Sequence, residues 1–209
     1  MAARTTIFAV EGNSVVAGQM EQALQPLGFP IFLYSGGRQL LDAVSTDDCG
    51  CIVLDLDSSP GDAAVQTELR SRSIAMPVIV VSGTSDVSTI ARLFKAGAVD
   101  VLPKPFKPDQ LRDAVGSALH LDAERRERET HAAQAESRIA WLTTRERQVL
   151  ELLVSGKANK QVAGELGLSV RTVEVHRARV MQKLEVESLA SAVHLWLLVS
   201  QPKPTEQAA

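Results

Sequence analysis

The sequence predicts a two-part chain, in which a five-stranded, doubly wound parallel α/β domain is joined by a long helix to an all-α four-helix bundle. Three observations predict it. Short apolar runs alternate with helix-period segments through residues 1–120, a polar helical stretch follows, and the remainder shows short helical periods broken by tight turns. The expected limits are 1–120 for the α/β domain, 121–140 for a helical linker and 141–201 for the bundle, with a disordered tail at 202–209.

The chain has 209 residues, 45% of them hydrophobic and 22% charged. Those values exclude a wholly disordered chain and a disulfide scaffold. No apolar stretch approaches the roughly 18 residues of a membrane span. Met1 to Thr6 lacks the apolar core of a signal peptide. Cys49 and Cys51 stand one residue apart in a strand-like run, so their side chains point to opposite faces and a mutual disulfide is not expected. A reducing, cytoplasmic location follows as an expectation. Charge divides unevenly. Residues 1–137 hold 12 basic and 18 acidic side chains, a balance of −6, and residues 138–209 hold 10 and 7, a balance of +3. Two modules with different partners fit that asymmetry.

Strands are expected at Thr6–Val10, Ile31–Tyr34, Cys51–Leu56, Val78–Val81 and Val99–Leu102. Helical periods fall between them at Val15–Leu27, Gln39–Val44, Ala63–Arg70 and Val87–Ala96, and after the last at Gln110–Leu119. Strands alternating with helices require crossover connections and hence a parallel sheet. Val78-Ile79-Val80-Val81 is continuously apolar, as a strand covered on both faces must be. Function in such sheets gathers at the carboxyl ends of the strands. Those ends carry Glu11, Gly12 and Asn13, then Asp55 and Asp57, then Ser82 and Gly83, then Lys104-Pro105. Two carboxylates, a hydroxyl and an ammonium at one edge are the equipment for phosphorylating an aspartate.

These residues carry a family resemblance. Val53-Leu54-Asp55, Val81-Ser82-Gly83, Lys95-Ala96-Gly97-Ala98-Val99-Asp100 and Lys104-Pro105-Phe106 resemble the receiver domain of bacterial two-component response regulators, a flavodoxin-like fold. The resemblance implies that Asp55 is the phosphoacceptor, Ser82 the switch hydroxyl and Lys104 the phosphate-binding lysine. It implies Mg²⁺ held by Glu11 and Asp55, a cis peptide at Lys104–Pro105, and a cognate sensor histidine kinase as phosphodonor.

The departures define an atypical receiver. Gly12 stands where the family carries a second acidic residue, which weakens the Mg²⁺ site. Asp57 either supplies a compensating carboxylate or faces solvent. Ser58-Ser59-Pro60 replaces the usual Met-Pro, and Val101 takes the place of the aromatic switch residue. Two accounts therefore stay open: control by phosphorylation at Asp55, and a degenerate receiver controlled without it.

Pro108–Trp141 reads as one long helix. Leu111, Val115 and Leu119 face the sheet, and a charge-laced, solvated spacer follows Leu121. A coiled-coil frame through Leu121, Arg125, Arg128, Ala132, Ala135 and Ile139 puts two arginines in the seam, against a continuous coiled coil.

In the bundle, Thr143 and Glu146 form a capping-box pattern opening a helix with Val149, Leu150 and Leu153 on one face, and Gly156 stops it. A second helix starts at Asn159 with Val162, Ala163 and Leu166 inward. Ser169 caps a third, Val170–Leu184, with Val173, Val180 and Leu184 on one face. A fourth, Ser188–Val199, closes the bundle. Trp141 and Trp196 are expected in the core, and His176 as a packing position. Two short helices with a tight turn, the second bearing basic residues outward, make a helix-turn-helix.

Leu142 to Leu150, Gly156 to Ala163 and Ser169 to Arg177 closely resemble the LuxR-type helix-turn-helix domain. With a receiver in front, the chain resembles the NarL/FixJ family of response regulators, FixJ-like branch. The resemblance implies a non-enzymatic transcription regulator that binds double-stranded DNA, usually as a homodimer. It implies that Glu174, Val175 and Ala178 take base-facing positions on the third helix, and Gln182, on the face opposite the apolar stripe, is a further DNA-binding candidate. Lys160, Arg171, Thr172, Arg179 and Lys183 are candidates for phosphate contacts. Dimerisation is expected through the receiver's fourth helix, fifth strand and fifth helix. An enzyme, or a phosphotransfer module without DNA binding, is the remote alternative; no nucleotide loop or catalytic base supports it.

Overall fold

A computed structural model describes residues 4–57, 64–83 and 86–200. Ser58-Ser59-Pro60 and the tail at 202–209 lie outside the described residues. The strands are β1 (Thr6–Val10), β2 (Ile31–Tyr34), β3 (Gly50–Asp55), β4 (Val78–Ser82) and β5 (Ala98–Pro103). The helices are α1 (Ser14–Leu24), α2 (Gly37–Ala43), α3 (Val65–Ser71), α4 (Val87–Lys95), α5 (Pro108–Ala140), α6 (Thr144–Val154), α7 (Asn159–Leu166), α8 (Val170–Leu184) and α9 (Leu189–Ser200). A single 3-10 turn, Gln25–Leu27, continues α1, because Pro26 cannot extend its ladder.

All four strand pairings are parallel, in the order β2-β1-β3-β4-β5. Alternation along the strands builds two apolar layers. Ile7, Ala9, Cys51, Val53, Ile79 and Val81 pack with Met20 and Leu24 of α1 and Leu111 and Val115 of α5. Phe8, Val10, Ile52, Leu54, Val78 and Val80 pack with Leu40 of α2, Val65 and Leu69 of α3 and Leu93 of α4. The sheet is therefore covered on both faces, which is why its central strands are apolar throughout. Strand order reverses between β1 and β3, so a crevice opens beyond their carboxyl ends. Cys49 and Cys51 are free and buried.

The chain divides into two compact units, Met1–Arg125 and Arg126–Ala209, and α5 contributes to both. The stretch expected to be a solvated spacer is shared out accordingly. In the first unit Asp122 is buried, and its carboxylate accepts the Gly50 N–H at 2.9 Å and pairs with Arg125. Gly50 sits at φ 129°, where an added Cβ would collide with the Thr6 carbonyl; only glycine fits there. In the second unit Ala135 and Ile139 are buried.

The second unit has two apolar nests. Ile139, Leu150, Val180, Leu184 and Ala192 form one, with Trp196 packed against it. Val149, Leu153, Val162, Ala163 and Val173 form the other. Helices α6 and α8 start at side-chain caps. The Thr143 hydroxyl accepts from Glu146 N while Glu146 accepts from Thr143 N, and the Ser169 hydroxyl accepts from Thr172 N at 3.0 Å. Gly167, left-handed at φ 65°, ends α7 and turns the chain into α8. Trp141 is a correction to the expected core: it is 75% exposed, standing past the last turn of α5. No described helix is long and apolar enough to cross a membrane.

Candidate functional site

In the first unit the strand ends bring the expected side chains together. Asp55, the last residue of β3, is 1% exposed. Glu11 follows β1 and Ser82 ends β4; both are buried. Register places Asp55 beside Val81, so Ser82 lies one residue further out on the neighbouring strand. Lys104 follows β5 directly, and the Lys104–Pro105 peptide after it is cis.

The Lys104 ammonium is the hub. Its Nζ stands 2.7 Å from Asp55 Oδ1, 3.7 Å from Asp57 Oδ2 and 3.8 Å from Glu11 Oε2. Burial alone would lower the lysine's pKa, but Asp55, Glu11 and Asp57 more than offset it, and the pKa is raised. Burial raises the Glu11 carboxyl, and the Asp55 carboxylate beside it adds to that. The Asn13 N–H, 2.8 Å from Glu11 Oε1, works the other way. Three carboxylates around one cation leave excess negative charge at the crevice.

One position differs from both readings offered for it. Asp57 neither joins a metal-ligating group nor simply faces water. Its Oδ2 accepts the Gly83 N–H at 2.7 Å, while its own N–H donates to Asp55 Oδ1 at 3.0 Å. Among the described residues no three His, Cys, Asp or Glu side chains assemble to hold a metal ion. Gly12 is exposed and brings no carboxylate. Val101 is half-buried against the layer of Phe8 and Val10.

In the second unit the functional candidates lie on one helix face. Val173, Val180 and Leu184 turn inward. Arg171, Glu174, Val175, Ala178, Arg179 and Gln182 are exposed, Val175 by 45%. Lys160, in the first turn of α7, is exposed as well. Thr172 is half-buried, its hydroxyl 2.8 Å from that of Ser169.

Lys183, expected among the phosphate contacts, is half-buried and paired within the bundle. Its Nζ lies 2.7 Å from Glu146 Oε2 and donates to the Trp141 carbonyl at 3.1 Å. Burial alone would raise the Glu146 carboxyl, but Lys183 and the Thr143 N–H and hydroxyl prevail and hold it at about 2. This ion pair ties the end of α8 to the start of α6. The sequence gives no sign of it, since a paired lysine and a solvated one are written alike. His176 is half-buried, as a packing residue would be.

Comparison with known proteins agrees with both units. Residues 7–116 match the family described as response regulator receiver domain, and residues 140–196 match that described as bacterial regulatory proteins, luxR family. Transcriptional regulatory protein FixJ of Azorhizobium caulinodans is 38% identical over 194 residues, 92% of either chain. Nodulation protein W of Bradyrhizobium diazoefficiens is 34% identical over 194 residues, 92% of this chain and 85% of that protein. Among solved structures, response regulator StyR matches with a TM-score of 0.80 at 37% identity, over 93% of this chain and 99% of that one. Full-length FixJ from B. japonicum matches at 0.52 and 31%, over 96% and 100%. With a receiver pocket at the strand ends of one unit and an exposed recognition-helix face on the other, the chain belongs to the response regulators that join a receiver to a LuxR-type DNA-binding domain.

Proposed function

We propose that the chain is a transcription regulator in which phosphorylation of Asp55 controls pairing of the receiver and, through it, binding of α8 to double-stranded DNA. The observation that carries the reading is the buried Asp55 carboxylate held 2.7 Å from the Lys104 ammonium at the crevice of the sheet. Asp55 would attack the phosphorus of a phosphohistidine on a cognate sensor histidine kinase. The P–N bond breaks and its electron pair stays with the imidazole. Lys104 offsets charge on the transferred oxygens, and the Ser82 hydroxyl donates to one of them.

Glu11 and Asp55 fit Mg²⁺ as a pair of hard oxygen donors with negative charge to spare, completed by water. When bound, the ion supplies further positive charge toward the phosphoryl oxygens. With Gly12 contributing nothing, the site is a weakened one.

Dimerisation through α4, β5 and α5 fits the exposed apolar side chains there, Val87 and Phe94 on α4 and Val99 on β5. Paired chains would offer two α8 helices to half-sites about one helical turn apart. In that arrangement Val175, Ala178, Glu174 and Gln182 read base edges. Lys160, Arg171, Thr172 and Arg179 hold phosphates. A double-stranded DNA target fits a cytoplasmic location.

Incubation of the full-length protein with Mg²⁺ and acetyl phosphate, followed by intact mass, tests the receiver. One added phosphoryl group, absent from Asp55→Asn, is the expected result. An unchanged mass, with Asp55→Asn binding DNA like the wild type, favours a receiver controlled without phosphorylation. Loss of gel-shift binding on replacing Lys160 and Arg179 tests the DNA reading separately.

A further inference from the structure

We propose that the Asp57 carboxylate is a built-in stand-in for the phosphoryl group, occupying its donors in the resting pocket and slowing phosphorylation of Asp55 until it swings out. The inference rests on Asp55 being the phosphoacceptor.

A phosphoryl group bonded to Asp55 must lie within reach of the Lys104 ammonium, because that ammonium is 2.7 Å from Asp55 Oδ1. It must also lie toward β4, where Ser82 ends the neighbouring strand and the next backbone donor is Gly83 N–H. Asp57 already uses this set. Its Oδ2 accepts the Gly83 N–H at 2.7 Å and stands 3.7 Å from Lys104 Nζ. An anion therefore bridges the cation and the amide that an incoming phosphoryl oxygen needs. Two anions competing for the same donors repel.

The same geometry says how the obstruction clears. The Asp57 backbone is fixed by its N–H to Asp55 Oδ1 at 3.0 Å. Its side chain is 49% exposed, whereas that of Asp55 is 1% exposed. Rotation about the Asp57 side-chain bonds alone moves the carboxylate into water and frees Gly83 N–H. Gly83 suits this traffic, since a Cβ there would stand 3.3 Å from Asp57 Oδ2 and crowd the oxygen. A metal-ligand role for Asp57 fits less well, because its Oδ2 is already held by the Gly83 N–H at 2.7 Å.

The chemistry tested is transfer from an acyl phosphate. An Asp55 oxygen attacks phosphorus, the P–O bond to the acyl group breaks, and acetate leaves with the electron pair. The experiment follows intact mass against time for full-length wild type, Asp57→Ala, Asp57→Asn and Asp55→Asn at saturating Mg²⁺ and varied acetyl phosphate. Asp57→Ala is expected to gain the phosphoryl group about tenfold faster than wild type. Asp57→Asn, which keeps an acceptor for Gly83 N–H without the charge, should fall between. The Gly83 amide proton, followed by NMR before any donor is added, should shift in Asp57→Ala, a change that a merely structural role would not concentrate there. Equal rates in wild type and Asp57→Ala overturn the inference alone. A slower Asp57→Ala with weaker Mg²⁺ binding overturns it in favour of a metal ligand. No mass gain in either protein, or an equal gain in Asp55→Asn, overturns the phosphoacceptor reading and the inference with it.

Discussion

The receiver pocket and the recognition helix are built on opposite plans. In the pocket, Glu11, Asp55, Ser82 and Lys104 come from four separate strand ends, and the acidic groups and hydroxyl are buried. On α8 the candidate contact side chains come from one helix and stand in solvent, while Val173, Val180 and Leu184 are hidden beneath them. The pocket couples function to fold, because its groups hold one another in place. The helix separates the two, because its outer face can change while its inner face keeps the bundle closed. Substitutions should therefore have mixed effects in the first unit and cleanly sorted ones in the second.

The largest expected effect is in the pocket. Asp55→Asn should abolish phosphoryl uptake from acetyl phosphate, read as intact mass. It should also release Lys104 from its closest anionic partner. Next comes the contrast across α8. Leu184→Ala should destabilise the second unit by about 2–5 kcal/mol in a denaturant titration. Val175→Ala should leave stability within about 0.5 kcal/mol while weakening preference for the operator by about 1 kcal/mol, the scale of one lost apolar contact. Equal stability losses at the two positions would break the contrast.

Lys183 sharpens it, since it sits on α8 yet works inward. Lys183→Met should cost about 1.5–3 kcal/mol of stability by leaving Glu146 without its cation. Lys160→Met should cost almost none. The smallest effect concerns pH. Glu146 has its carboxyl lowered from 4.5 to about 2 in the folded protein. Its stabilisation is complete above the unfolded value and is lost as pH falls through the folded one. The stability gap between wild type and Lys183→Met should therefore narrow as pH falls from 5 toward 2, measured by chemical unfolding. A gap that widened with acid would contradict the ion pair.

These plans also explain what could be read in advance. The α8 limits, Val170 and Leu184, follow from the Ser169 cap and from one apolar stripe, both local. Strand positions followed from apolar runs, with ends moving by a residue or so as pairing partners extended them, as at Gly50 and Ser82. Convergence of Asp55, Ser82 and Lys104 was legible once a parallel sheet was inferred, because strand ends share an edge. The Asp57 contact with Gly83 was not, since the direction of a half-exposed side chain depends on donors 26 positions away in sequence. Trp141 misled because size and apolarity indicate burial, whereas its place past the end of α5 leaves it outside both apolar nests. Ala135 and Ile139 were hidden in a charge-rich stretch whose few apolar residues take their meaning from the second unit alone.

The central claim is that the outer face of α8 docks on duplex DNA under control of the receiver. It is tested most directly by the salt dependence of DNA affinity for the full-length protein, with and without acetyl phosphate, beside the Lys160→Ala, Arg179→Ala double variant. The account predicts tighter binding after phosphorylation. It also predicts a slope of log affinity against log salt shallower by about 2 in the variant. Identical slopes and affinities for the two proteins would contradict it.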